Sequence, residues 1–75
     1  MVSAKEAHTR AQRALTSSPI FDLRRLRVDQ VDERLLISGR VNSFYHKQLA
    51  QELVRAVAAG MSVVNSIDVS AHNET

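Results

Sequence analysis

The stretch Leu35–Ser43, LLISGRVNS, decides how the rest of the chain is read. Leu35, Ile37, Gly39 and Val41 share one parity, and Leu36, Ser38, Arg40 and Asn42 share the other. Alternation with period two places the first set on the apolar face of a β-strand over residues 34–41. Two features stand out. A glycine in a strand interior marks a bulge, a bend or the close approach of another element. Directly after it, Asn42 or Ser43 offers a side-chain oxygen that can cap a helix.

Residues 20–31 read as a preceding strand, with Leu26 and Val28 alternating against Arg25, Arg27 and Asp29. A hairpin turning at Asp32–Glu33 pairs Val28 with Ile37, Leu26 with Gly39, Arg27 with Ser38 and Arg25 with Arg40, so apolar meets apolar. A tight two-residue turn favours Asn-Gly or Asp-Gly, which accept positive φ. Glu33 does not, so the expectation is a wider loop over residues 30–33 or a strained Glu33.

Residues 43–59 carry a helical stripe of Leu49, Ala50, Leu53, Ala56 and Val57, and Gly60 is a natural stop. Residues 62–69 form a third strand, with Val63, Asn65, Ile67 and Val69 on one parity and Val64, Ser66 and Asp68 on the other. At the N-terminal end, residues 3–16 place Ala4, Ala7, Ala11, Ala14 and Leu15 on one helical face, with Ser3 and Glu6 spaced as a capping box. Ser18, held out of helical geometry by Pro19, ends this helix. An alanine stripe buries little area, so this helix is expected to be the least stable element.

The order is therefore α-β-β-α-β. The fold class is α+β: a three-stranded mixed sheet with two helices packed on one face and the other face open to water or a partner.

The chain of 75 residues fits one domain, with a core over about residues 4–69 and a polar tail over residues 70–75 expected to fray. With three aromatics, Phe21, Phe44 and Tyr45, its core must be built from Leu, Ile, Val and Ala. The absence of cysteine excludes disulfides and Cys-based metal sites. A net charge of +2 is too small to imply nucleic acid or membrane by itself. No apolar run approaches a membrane span. The start MVSAKEAHTR lacks a signal-peptide core, which favours the cytoplasm if that start is native; an excised domain would fit a periplasmic or envelope protein.

LLISGRVNSFYHKQLAQELVRAV followed by VVNSIDV resembles the BON domain, a small bacterial module of envelope and stress-related proteins. Leu35, Ile37, Gly39 and Val41 match its hydrophobic-x-hydrophobic-x-Gly-x-Val strand. Ala50 and Val57 suit its helix, and Val63, Asn65, Ile67 and Val69 match its last strand. The match spans roughly residues 5–70. The family usually has a glycine in the hairpin turn, where this chain has Asp32–Glu33. Its Gly-Val before the last strand appears as Ala59-Gly60-Met61, about one residue out of register. The resemblance implies a binding module and gives Gly39 a role: it lets a helix backbone approach the sheet, with the first helix the obvious partner. Asn65 reads as an amide satisfying loop backbone groups, and Gly60 as a structural stop.

Nothing here carries chemistry. His8, His46 and His72 are far apart, without a His-x-x-x-His or Glu-x-x-His pair. Ser17 and Ser18 lack a neighbouring base, Asp29, Asp32 and Glu33 read as solvated turn carboxylates, and no glycine-rich phosphate loop is present. A non-enzyme without metal or cofactor is expected. Two surfaces could bind. The open sheet face should carry Arg25, Arg27, Leu36, Ser38, Arg40, Val64, Ser66 and Asp68, and its arginines could meet anionic lipid headgroups or an acidic partner. The start of the second long helix, with Phe44, Tyr45, His46 and Lys47, could dip into a membrane interface. Against it stands a core role, with one aromatic packed under the first helix. The leading reading is a tethering module for an anionic phospholipid surface. The alternative is a protein–protein module, homodimer or envelope partner, using the open face or a sheet edge. A monomer is the default. Nucleic acid is disfavoured, because no aromatics would stack on the open face.

Overall fold

The structure is a computed structural model and describes residues 3–70. In chain order it comprises helix α1 (Ala4–Thr16), a short helix α2 (Phe21–Arg24), strands β1 (Arg27–Val31) and β2 (Arg34–Val41), helix α3 (Phe44–Val57) and strand β3 (Ser62–Val69). The sheet order is β1-β2-β3, with β1 antiparallel and β3 parallel to the central β2. The architecture is the expected α+β layering, with α2 as an added element. Of the tail, Ser70 is described and extends the β2–β3 ladder by donating to the Val41 carbonyl at 2.8 Å; residues 71–75 and His72 lie outside the described residues.

The core sits between the long helices and the inner sheet face. Ala7, Ala11 and Leu15 of α1 and Ala50 and Val54 of α3 are fully buried over Val28, Leu35, Ile37, Val41 and Ile67. Ala56, assigned above to the apolar stripe of α3, turns instead to solvent. Both helix starts are capped by serine. Ser3 and Glu6 complete the capping box, and Ser43, rather than Asn42, accepts the His46 N–H at 3.1 Å.

Residues 20–26 correct the expected first strand. The Ser18 hydroxyl accepts the Ile20 N–H at 3.0 Å, and Phe21–Arg24 then forms one helical turn. Ile20, Leu23 and Leu26 are spaced by three, so the turn aims all three at the core, where Leu23 and Leu26 are buried. Two-residue periodicity would have buried only the even members. The hairpin register holds where the strand exists, with Val28 opposite Ile37 and Arg27 opposite Ser38. The expected pairs Leu26–Gly39 and Arg25–Arg40 are not part of the ladder.

Gly39 makes its close approach to this segment and not to α1. A Cβ at Gly39 would stand 2.9 Å from Leu26 Cδ2, and its φ is +129°. Both facts demand glycine. The hairpin is a two-residue turn after all, since Val31 pairs with Arg34. Its positive φ falls on Asp32, at 57°, and not on Glu33; aspartate tolerates that region better than most residues. After α3 the chain reverses through Ala59, φ 53°, and Gly60, φ 86°. Ala59 thus takes a left-handed conformation beside the glycine that was expected to provide the stop.

Polar side chains of α1 and of β3 close the sheet edges. Gln12 of α1 accepts the Val28 N–H at 2.8 Å and donates to the Leu26 carbonyl at 3.0 Å, while His8 Nε2 donates to the Val28 carbonyl at 2.6 Å. At the far edge, Asn65 accepts the Ile67 N–H at 3.1 Å and donates to the Lys47 carbonyl and Gln51 Oε1 at 3.0 and 3.1 Å. Asn65 therefore binds a helix and its own strand, not loop backbone.

Gly39→Ala is expected to destabilise the domain by about 2 kcal/mol or more, through strain at positive φ plus the Leu26 clash. Denaturant titration would measure it, and adding Leu26→Ala should make the two losses less than additive. Ala59→Gly is expected to stabilise by about 0.5–1 kcal/mol in the same assay, because it relieves left-handed strain at an exposed residue.

Candidate functional site

The open sheet face is less basic than its arginines suggest. Arg27 Nε lies 3.2 Å from Asp29 Oδ1, and the register sets Arg40 beside Asp68. Between them, Leu36 lies in register with Asp29 on one side and Val64 on the other. Leu36 and Val64, with exposed Val31, form a small aliphatic strip next to Arg34. Ser38 and Ser66 continue the face. Arg25, expected here, is elsewhere: it follows α2, so the strand parity that would have pointed it at this face does not apply.

Arg25 belongs to a second surface. Its guanidinium carbon lies 5.6 Å from the centroid of the Phe21 ring, and that of Arg24 lies 5.5 Å away. Both arginines thus cluster about one aromatic side chain in cation–π contact. Phe21 is 59% exposed, Phe44 74% and Tyr45 68%. Every aromatic residue of the chain is therefore on the surface, which overturns the expectation that one of them packs under the first helix. The reason is geometric. The small side chains of α1 bring it close to α3 and the sheet, and Leu15 and Leu23 fill the remaining space.

Asp22 joins these aromatics into one tip. Its carboxylate accepts the Asn42 backbone N–H at 2.8 Å, the Asn42 side-chain amide at 3.3 Å and His46 Nδ1–H at 3.1 Å. A carboxylate only accepts, so Nδ1 of His46 carries the proton. Asp22 is on α2 beside Phe21; Asn42 and His46 flank Phe44 and Tyr45 at the start of α3. The tip thus presents Phe21, Phe44 and Tyr45 with Arg24, Arg25 and the half-buried Lys47, around one largely buried carboxylate. Of the residues singled out from the sequence, the structure brings together Arg25, Phe44, Tyr45 and Lys47, and leaves Arg27, Leu36 and Arg40 on the sheet face. Phe21, Arg24 and Asp22 were missed. The three-residue spacing of Ile20, Leu23 and Leu26 was the available signal, because it places Phe21 and Asp22 on a helical turn rather than a strand.

Two shallow grooves lie at the other end of the sheet, around Gly60, Met61 and Ser62. Among the described residues no group of three or more His, Cys, Asp or Glu is placed to hold a metal ion. No described helix is long and apolar enough to cross a membrane.

The Asn42 amide, then His46, holds the Asp22 carboxyl below its usual value of 3.8. A depressed carboxyl pKa adds stability that is complete above the unfolded value and is lost as pH falls through the folded one. Wild type is therefore expected to exceed Asp22→Asn in stability by about 1–2 kcal/mol at pH 7. The gap should close as pH drops below 3.8, as urea melts across that range would record.

A family model for the BON domain matches residues 3–71. No curated protein gives a significant match. The match spans both long helices, the Gly39 strand and the Asn65 strand, and its family is a non-catalytic, binding-type module. The chain belongs to the BON domain family.

Proposed function

We propose that this domain docks to anionic phospholipid membrane surfaces through the tip formed by α2 and the start of α3. The observation that carries the reading is the exposure of Phe21, Phe44 and Tyr45 at one end of the molecule, beside Arg24 and Arg25. A protein poor in aromatics that leaves all of them in solvent leaves its largest apolar payload unused by the fold. Aromatic rings with cationic neighbours suit the headgroup level of a bilayer, where rings partition and cations meet phosphate. Three cations against one carboxylate give the tip the right sign. Each cation near an anionic surface is worth about 1 kcal/mol, and binding of this kind weakens with salt.

The sheet face is the weaker site for this role, since Arg27 and Arg40 already sit beside carboxylates. Its aliphatic strip of Val31, Leu36 and Val64 favours the second reading, in which the domain contacts another protein.

Sedimentation with phosphatidylcholine vesicles, with and without phosphatidylglycerol, would test the membrane reading. Wild type should bind the anionic vesicles in a salt-sensitive way. Arg24→Glu with Arg25→Glu should reduce binding at least tenfold, and Phe21→Ala or Phe44→Ala severalfold, with unchanged thermal stability. Arg27→Glu with Arg40→Glu should have the smaller effect. Equal binding to neutral vesicles, or loss through the sheet-face pair alone, would contradict the tip assignment.

A further inference from the structure

We propose that the Asp22–His46 clasp makes the tip responsive to pH, so that the domain holds an anionic bilayer more tightly in mildly acidic surroundings than at neutral pH. This inference rests on the membrane reading of the tip. The tip is assembled from two segments about twenty residues apart, and its parts depend on a common alignment. Among the described residues, each side-chain hydrogen bond between α2 and the junction of β2 with α3 ends on Asp22. His46 is the member of this clasp whose chemistry suits a switch, because imidazole is the side chain that ordinarily changes charge between pH 5 and 8.

Protonation of His46 acts in two ways that point the same direction. The Nδ1–H bond to Asp22, 3.1 Å long and already charged on its acceptor side, gains a charged donor and becomes an ion pair, fastening α2 to α3 more firmly. The tip also gains a cation next to Phe44 and Tyr45; the Tyr45 ring centroid is 5.8 Å from that of His46. The His46 side chain keeps 27% of its exposure, so a proton can reach it from solvent. From α2 and its end come the Asp22 carboxylate, Arg24 and Arg25, the last of which also acts on Asp22. From its own helix comes Lys47. The end of β2 offers neutral Asn42, while Arg40 is turned to the open sheet face beside Asp68.

The test is binding of the 75-residue chain to phosphatidylcholine vesicles containing phosphatidylglycerol, at pH 7.5 and 5.5 and constant ionic strength. Wild type is expected to bind about fivefold more tightly at pH 5.5, the value of one added cation at an anionic surface. His46→Gln, which keeps a donor but cannot be charged, should bind at both pH values as wild type does at 7.5. His8→Gln should retain the response. Equal wild-type binding at the two pH values, or a response that survives in His46→Gln, would overturn the clasp as a switch while leaving the tip as the docking site. Absence of binding at either pH would overturn the membrane reading and this inference with it.

Discussion

The contact between Leu26 and Gly39 organises the rest of this structure. A strand residue without a side chain lets the Leu26 side chain settle against β2, and no other residue type can hold that backbone at a φ of +129°. The chain therefore enters β1 from above the end of β2, not from a continuation of the sheet. That entry places α2 over the junction of β2 and α3, within reach of the Asn42 amide and the His46 ring. A single glycine in the central strand thus bears on a surface of which Arg25 alone is among its nearest neighbours.

The edges of the sheet follow a second constraint. A three-stranded sheet has two edges, and exposed edges invite pairing with other chains. In this fold the side chains of Gln12 and His8 occupy backbone groups on the outer side of β1, and Asn65 occupies one on β3. The carboxamide of Gln12 pairs with the Val28 N–H of the strand and with the Leu26 carbonyl just before it, much as a neighbouring peptide unit would. Such bonds hold α1 to the sheet more firmly than its alanine stripe would alone, since a buried backbone group left without a partner costs about 1–3 kcal/mol.

How much was readable in advance depended on which side chains were set by periodicity. The strand Arg34–Val41 and the strand Ser62–Val69 came out with their expected limits because alternation over eight residues has one interpretation. The segment Ile20–Leu26 did not, because seven residues with three apolar members fit periods of two and of three almost equally well. The misreading carried Arg25 onto the wrong surface and hid Phe21 and Asp22, so half of the candidate site was lost with one short element. The Asp22 clasp itself has no signature, since its partners are twenty and twenty-four positions away.

The sequence by itself determined the layering, the hairpin register and the aliphatic nature of the core, because each follows from the spacing of apolar residues along one segment. It also determined that Gly39 is needed, since a glycine in a strand that otherwise packs well has few other reasons to be there. Tertiary structure alone decided what approaches that glycine, which backbone groups Gln12, His8 and Asn65 satisfy, and that the aromatics stay outside. These outcomes turn on how closely alanine-faced α1 settles on its neighbours and on where one helical turn points, which are distances in space and not intervals along the chain.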